Sequence, residues 1–209
     1  MDYLTFYFIA GAYILQLIEL VFLPIPSEIS IFQSKISRMD NMDSIIYTKN
    51  YRRPPVMLII FFIISIIYFV ISPFLHIFKI YFLTFPILIP DSWFEVTHII
   101  GTTLILFGSL TNFITVIFLR NYLMSFSSKH KMSVYNKNFF RISRHPITIS
   151  MYVIMLGILI IFPTILMVLS YIIILIYIHI QIKNEENYLI QKFGREYLLY
   201  KNQVPRYLF

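Results

Sequence analysis

Cysteine is absent from all 209 residues, which removes disulfides, thiolate nucleophiles, Cys-held zinc and iron–sulfur clusters from the chemistry open to this chain. Charge is scarce as well: 13% of residues are charged, against 58% hydrophobic and 18% aromatic, and the mean hydropathy is +0.76. A water-soluble domain of this length needs a polar coat that so few charges cannot supply. Only five glycines occur, at 11, 101, 108, 157 and 194, and they do not form the G-x-G-x-x-G turn of a dinucleotide-binding fold. Internal repeats and low-complexity tracts are also lacking. What is present in quantity is long apolar runs rich in Ile and Phe, separated by short basic stretches.

These runs predict an all-α integral membrane protein. Five spans are expected, at about 3–23, 56–73, 93–119, 147–163 and 164–182, each near the roughly 20 residues that a bilayer core requires. The first lacks a basic n-region and a small-residue cleavage site, so it is expected to be retained as a span. Lys and Arg number five in the first loop (Lys35, Arg38, Lys49, Arg52, Arg53), one in the second (Lys79), six from Arg120 to Arg144, and five after the last span. With five spans and the N-terminus outside or lumenal, sixteen of the seventeen basic residues fall on the cytoplasmic side with the C-terminal tail, as the positive-inside bias requires. Making 74–90 a sixth span would bury Lys79 and His76 and send the six-charge loop outside, so that stretch is expected to be interfacial or re-entrant. The net charge of +7 then needs no nucleic acid partner, because orientation and anionic lipid surfaces already call for it.

Polar chemistry gathers around the last two spans. Pro163 divides one apolar run from the next and predicts a tight C-terminal hairpin, which would bring the region of His145 close to that of Glu185. Pro146 suits a first helical position and drives His145 out of the helical region, so a helix with free N–H groups is expected to start here. Arg144 beside it offers a planar donor fork that can hold a carboxylate or orient an acid; alternatively it reaches to lipid phosphate while His145 caps the span. Glu185 and Glu186 are unusual just beyond a span on a basic side, and call for a positive partner. The plainer reading is an ion pair with Arg144 or Arg206 that ties the tail to the hairpin. Gly194 would cost about 1 kcal/mol inside a helix, so a break is expected there, followed by a short helix carrying Tyr197 and Tyr200 that packs back on the domain. Glu95 and His98 form a further polar pair, expected to make an interhelical hydrogen bond. The histidines at 76, 130 and 179 have no ligand spacing, and no metal is expected.

Arg144-His145-Pro146, Glu185-Glu186-x-x-Leu189, Phe193-Gly194-x-x-Tyr197-x-x-Tyr200 and Val204-Pro205-Arg206, in this order and on a hairpin of this length, resemble the isoprenylcysteine carboxyl methyltransferase and phospholipid methyltransferase group. The resemblance covers roughly residues 132–209. It divides the chain into N-terminal spans and loops (1–131) and a cofactor-binding hairpin and tail (132–209) within one integrated membrane domain. It implies an integral membrane enzyme that takes S-adenosylmethionine from the cytosol and methylates a lipophilic or lipidated acceptor held among membrane lipids. Carried over by position, it implies a cofactor pocket lined by 132–135 (with Ser133, Val134 and Tyr135), Phe140, His145, Pro146, Ile147, Thr148 and Glu185. Arg144 and Glu186 would be the supporting catalytic pair. Members acting on prenylated cysteine have an arginine four residues before the first acid, implied to hold the substrate carboxylate. Here that position is Gln181, a weaker partner for a carboxylate, which opens the acceptor to a phospholipid amine or another lipid. Thr148, Ser150 and the Asn138-Phe139-Phe140 run also depart from the group's pattern. Two further readings remain: membrane sterol reductases, whose C-terminal half looks similar and uses NADPH, and a non-catalytic membrane protein that kept the fold.

Overall fold

The computed structural model describes Gly11 and residues 54–77, 91–125 and 136–208. The first expected span, apart from Gly11, and the proposed interfacial stretch beyond Ile77 lie outside the described residues. Among those described, five α-helices occur: α1 (Val56–Ile77), α2 (Asp91–Ser125), α3 (Pro146–Ile161), α4 (Ile165–Phe193) and α5 (Arg195–Gln203), with a short 3-10 turn at Asn138–Arg141. Segments of three of them, Val56–Leu75, Glu95–Leu119 and Ile165–Phe193, are long and apolar enough to cross a membrane. The fourth apolar helix, α3, has 16 residues and rises only about 24 Å against the roughly 30 Å of a hydrocarbon core.

Helix ends differ from the expected span ends for identifiable reasons. α1 continues through Pro73 to Ile77, because an apolar helix packed among others tolerates the lost N–H of one proline. α3 stops at Ile161 because Pro163 has no N–H to continue it. Thr164 then caps α4: its hydroxyl accepts the Met167 N–H at 3.2 Å and its carbonyl accepts the Val168 N–H at 3.1 Å, an N-cap worth about 1 kcal/mol. α4 runs eleven residues beyond the expected end at 182, to Phe193. It then breaks at Gly194, whose φ of +55° and ψ of −124° lie where an L side chain is strained. The expected break and short second helix are therefore present.

The described residues form two compact units. The first contains 54–77, 91–110 and 150–180. Its buried centre joins Phe69, Ile105, Ile154, Ile158, Ile161, Phe162, Met167 and Ile174. Small polar side chains share that interior: Ser65, Ser72 and Ser109 are buried, while Ile60, Ile64, Ile67 and Phe74 on α1 and Ile165, Leu169, Ile172 and Ile176 on α4 are exposed. Such a pattern suits a lipid solvent, in which apolar surface needs no hiding and polar groups must find partners inside. The Ser72 hydroxyl donates to Met167 Sδ at 3.2 Å, and the Tyr68 and Thr164 hydroxyls lie 3.3 Å apart. The second unit, 111–125, 136–149 and 181–208, carries the polar motifs.

Backbones of α2 and α3 approach closely through glycines. A Cβ placed on Gly157 would stand 2.7 Å from the Gly101 carbonyl oxygen and 2.8 Å from Ile105 Cγ1. One on Gly101 would stand 2.8 Å from the Gly157 carbonyl oxygen. This is the small-residue contact by which apolar helices associate without a hydrophobic drive. Gly157→Val therefore forces the helices apart and is expected to destabilise the first unit by about 1–3 kcal/mol. Thermal unfolding in detergent measures it, and an unchanged melting temperature would contradict the close contact.

Candidate functional site

The second unit is organised around one buried acid. Glu186 projects from α4 with its side chain 2% exposed, whereas the preceding Glu185 is 58% exposed; successive helical residues point about 100° apart, so neighbours in sequence meet different surroundings. Arg206 closes on Glu186 in a two-pronged pair, Nε donating to Oε1 at 3.0 Å and Nη2 to Oε2 at 2.7 Å. Arg144 Nη1 lies 3.0 Å from the same Oε1. The contact is an ion pair without hydrogen-bond alignment, since Arg144 Nη1 and Nε are both buried and lack an aligned acceptor. His145 is held between the two acids, Nδ1 at 3.7 Å from Glu185 Oε2 and Nε2 at 3.5 Å from Glu186 Oε1; its buried Nε2 also lacks an aligned hydrogen bond.

Local folding explains how the arginine and histidine reach this place. The 3-10 turn Asn138–Arg141 begins with Asn138 at φ +52°, a conformation that asparagine adopts more readily than most residues. It closes through Ile142 N–H and Ser143 N–H to the Phe139 carbonyl at 3.0 and 3.1 Å. Buried Ser143 then accepts the His145 N–H on its hydroxyl at 3.1 Å, a side-chain turn that ends the segment just before the helix. Pro146 is the first residue of α3, as expected, and the His145 carbonyl accepts the Ile149 N–H at 3.2 Å.

The tail completes the arrangement. Tyr197, Tyr200 and Val204 are buried together against Leu189, Ile190 and Phe193, and the Tyr200 hydroxyl donates to the Phe140 carbonyl at 2.7 Å. Burial, reinforced by the charge of Glu186 and opposed by Arg144, pushes the Tyr197 phenol up to about 12. Burial and the neighbouring Tyr197 also raise Tyr200. Both therefore stay protonated at physiological pH. The hydrogen bonds to Glu186 raise Arg206 above its already high value, so its charge is fixed.

The structure thus brings together Arg144, His145, Glu185 and Glu186, with the partly buried Phe140, Ile147 and Thr148 on the flanking 3-10 turn and first turn of α3. Gln181 lies one turn before Glu185 on α4 and is partly buried. Ser133, Val134 and Tyr135 fall outside the described residues. Ser143 and the backbone of Pro205 and Arg206 hold the site and were not singled out from the sequence; a serine two residues before the histidine that opens a helix was the available signal. Among the described residues no group of three His, Asp or Glu could hold a metal ion.

A family model described as phospholipid methyltransferase matches residues 96–196. The match begins in α2, includes Arg144-His145-Pro146 and Glu185-Glu186, and ends two residues beyond Gly194. Over this stretch the chain is similar to the phospholipid methyltransferase family, in keeping with the group that its motifs resemble. Neither curated proteins nor solved structures gave a match.

Replacing Glu186 by glutamine leaves the guanidinium groups of Arg144 and Arg206 without their carboxylate. Removing one partner of a buried pair costs about 3–5 kcal/mol, and the partial exposure of Arg206 puts the expected loss at the lower end. Hydrogen exchange should then accelerate through α5 while α1 keeps its protection; unchanged exchange in α5 would show that the clamp does not hold the tail.

Proposed function

We propose that this chain is a membrane methyltransferase that uses S-adenosylmethionine to methylate a lipophilic acceptor. One observation carries the reading beyond the family match: buried, unaligned donors on Arg144 and His145 stand beside an exposed carboxylate, Glu185, at the start of α3. That donor set fits an amino-acid moiety. Arg144 Nε and Nη1 and His145 Nε2 would meet its carboxylate, and Glu185 would accept from its ammonium or from ribose hydroxyls. Phe140 would pack on the adenine.

The chemistry supplied by bound S-adenosylmethionine is in-line displacement at a sulfonium methyl. The protein's part is alignment and exclusion of water. Glu186 is spent on two arginines, so it serves as a support and is a poor proton acceptor. A carboxylate acceptor needs no base. An ammonium acceptor must lose a proton first, and the Glu185–His145 pair, 3.7 Å apart, is the group at hand to take it. Gln181, neutral where a carboxylate-binding arginine is implied for prenylcysteine enzymes, favours an amine or other lipid acceptor. The basic loops and tail support a cytoplasmic position for this end of the hairpin, with the N-terminus outside or lumenal.

Calorimetry on the detergent-purified chain tests the reading. Wild type is expected to bind S-adenosylmethionine and to ignore NADPH, and Glu185→Ala to lose that binding with its melting temperature retained. NADPH binding alone would make the chain a reductase, and full affinity in a well-folded Glu185→Ala variant would remove Glu185 from the pocket.

A further inference from the structure

The segment leading into α3 is held by the tail. The Arg144 N–H donates to the Pro205 carbonyl at 3.0 Å, and the Ser143 hydroxyl donates to the Arg206 carbonyl at 3.0 Å while accepting the His145 N–H. Val204 is buried and its N–H is bonded to the Tyr200 carbonyl at 3.0 Å, so these carbonyls are presented from an anchored strand of chain. Buried polar groups must be paired, and here the partners of the Ser143 hydroxyl and the Arg144 N–H come from the distant tail.

The Arg206 side chain does a second thing. A carboxylate and a guanidinium that face each other freely adopt a two-pronged pair. Arg206 occupies both oxygens of Glu186 in that way, which leaves Arg144 a single off-axis contact at 3.0 Å. Arg144 therefore keeps Nε and Nη1 without aligned acceptors in a buried setting. Without Arg206, Arg144 would be the remaining arginine on Glu186, and the fork would close there.

We propose that Arg206 is a positioning residue for ligand binding: it holds Glu186 away from a two-pronged pairing with Arg144 and, with Pro205, straps the Ser143–His145 turn, so that Arg144 and His145 keep buried donors for an anionic group of the ligand. The identity of that ligand as S-adenosylmethionine rests on the function proposed above. The strap itself does not.

Full-length Arg206→Ala and the milder Arg206→Lys test both parts. In ligand-free protein, amide exchange at 143–145 should quicken by about tenfold in Arg206→Ala, as a local opening, with α1 unchanged; unchanged exchange overturns the strap. The dissociation constant for S-adenosylmethionine should weaken by about tenfold or more in Arg206→Ala, with Arg206→Lys between, because an ammonium cannot close on both oxygens. Added guanidinium ion should restore binding to Arg206→Ala, a rescue that loss of packing alone would not give. Unaltered affinity, or failure of the rescue, overturns the positioning role. If wild type binds no S-adenosylmethionine, the functional reading fails, and the exchange experiment still decides the strap.

Discussion

Glu186 is a fully buried acid, and the second unit depends on how its charge is met. A carboxylate taken from water costs several kcal/mol unless cations and hydrogen bonds surround it. Arg206 meets that demand with two aligned bonds, and Arg144 adds a third contact. The three groups come from the end of α4, the tail and the segment before α3, so one acid fixes three pieces of chain that have no other regular structure in common. The tyrosines act alongside: Tyr200 ties α5 to the Phe140 carbonyl, and Tyr197 and Tyr200 are buried with Val204.

The first unit solves a different problem. Its outer surface is Ile, Leu and Phe, and its interior contains Ser65, Ser72 and Ser109, so the gradient that drives a soluble core is missing. Cohesion comes from contact distance. Gly101 and Gly157 let two backbones meet at a spacing that any side chain would prevent, and dispersion rises steeply at such spacing. The Ser72 hydroxyl finds an acceptor in Met167 Sδ, while the Ser109 hydroxyl is buried without a hydrogen-bond partner.

Much of this was legible from residues whose effect is local. Pro146, Pro163 and Gly194 act through their own dihedral limits, and each marks a helix boundary where expected. Apolar runs marked the helices. Their ends were less legible, because α4 keeps helical geometry past the continuous apolar run that closes at Ile182 and α1 absorbs Pro73; hydropathy measures where lipid ends, and backbone hydrogen bonding continues beyond it. In the site, the pairing of the acids with Arg144 or Arg206 followed from the need for a positive partner on a basic side. The division between the acids, and the use of both arginines at once, did not follow. Neither did the roles of Ser143 and the Pro205 carbonyl, since these are contacts between distant backbone atoms that leave no mark in composition or spacing.

On the proposed function, two adjacent acids with opposite fates would suit a ligand that carries both charges. Glu186, enclosed by two guanidinium groups, has little acceptor capacity left and acts by shaping its neighbours. Glu185, one residue earlier and turned to the surface, keeps its oxygens, with His145 Nδ1 3.7 Å away. On the other side stand Arg144 and His145, which touch Glu186 Oε1 as ion pairs and whose Nε, Nη1 and Nε2 lack aligned hydrogen bonds. Positive donors and a free carboxylate separated by one imidazole offer complementary ends to a zwitterion. A purely anionic ligand would be repelled by Glu185, and a purely cationic one would leave the buried donors of Arg144 unmet, at the cost that unpaired buried polar groups carry. The clamp thus fixes the tail and the charge pattern in one step, because the same bonds that hold Arg206 on Glu186 leave Arg144 Nε and Nη1 without aligned acceptors.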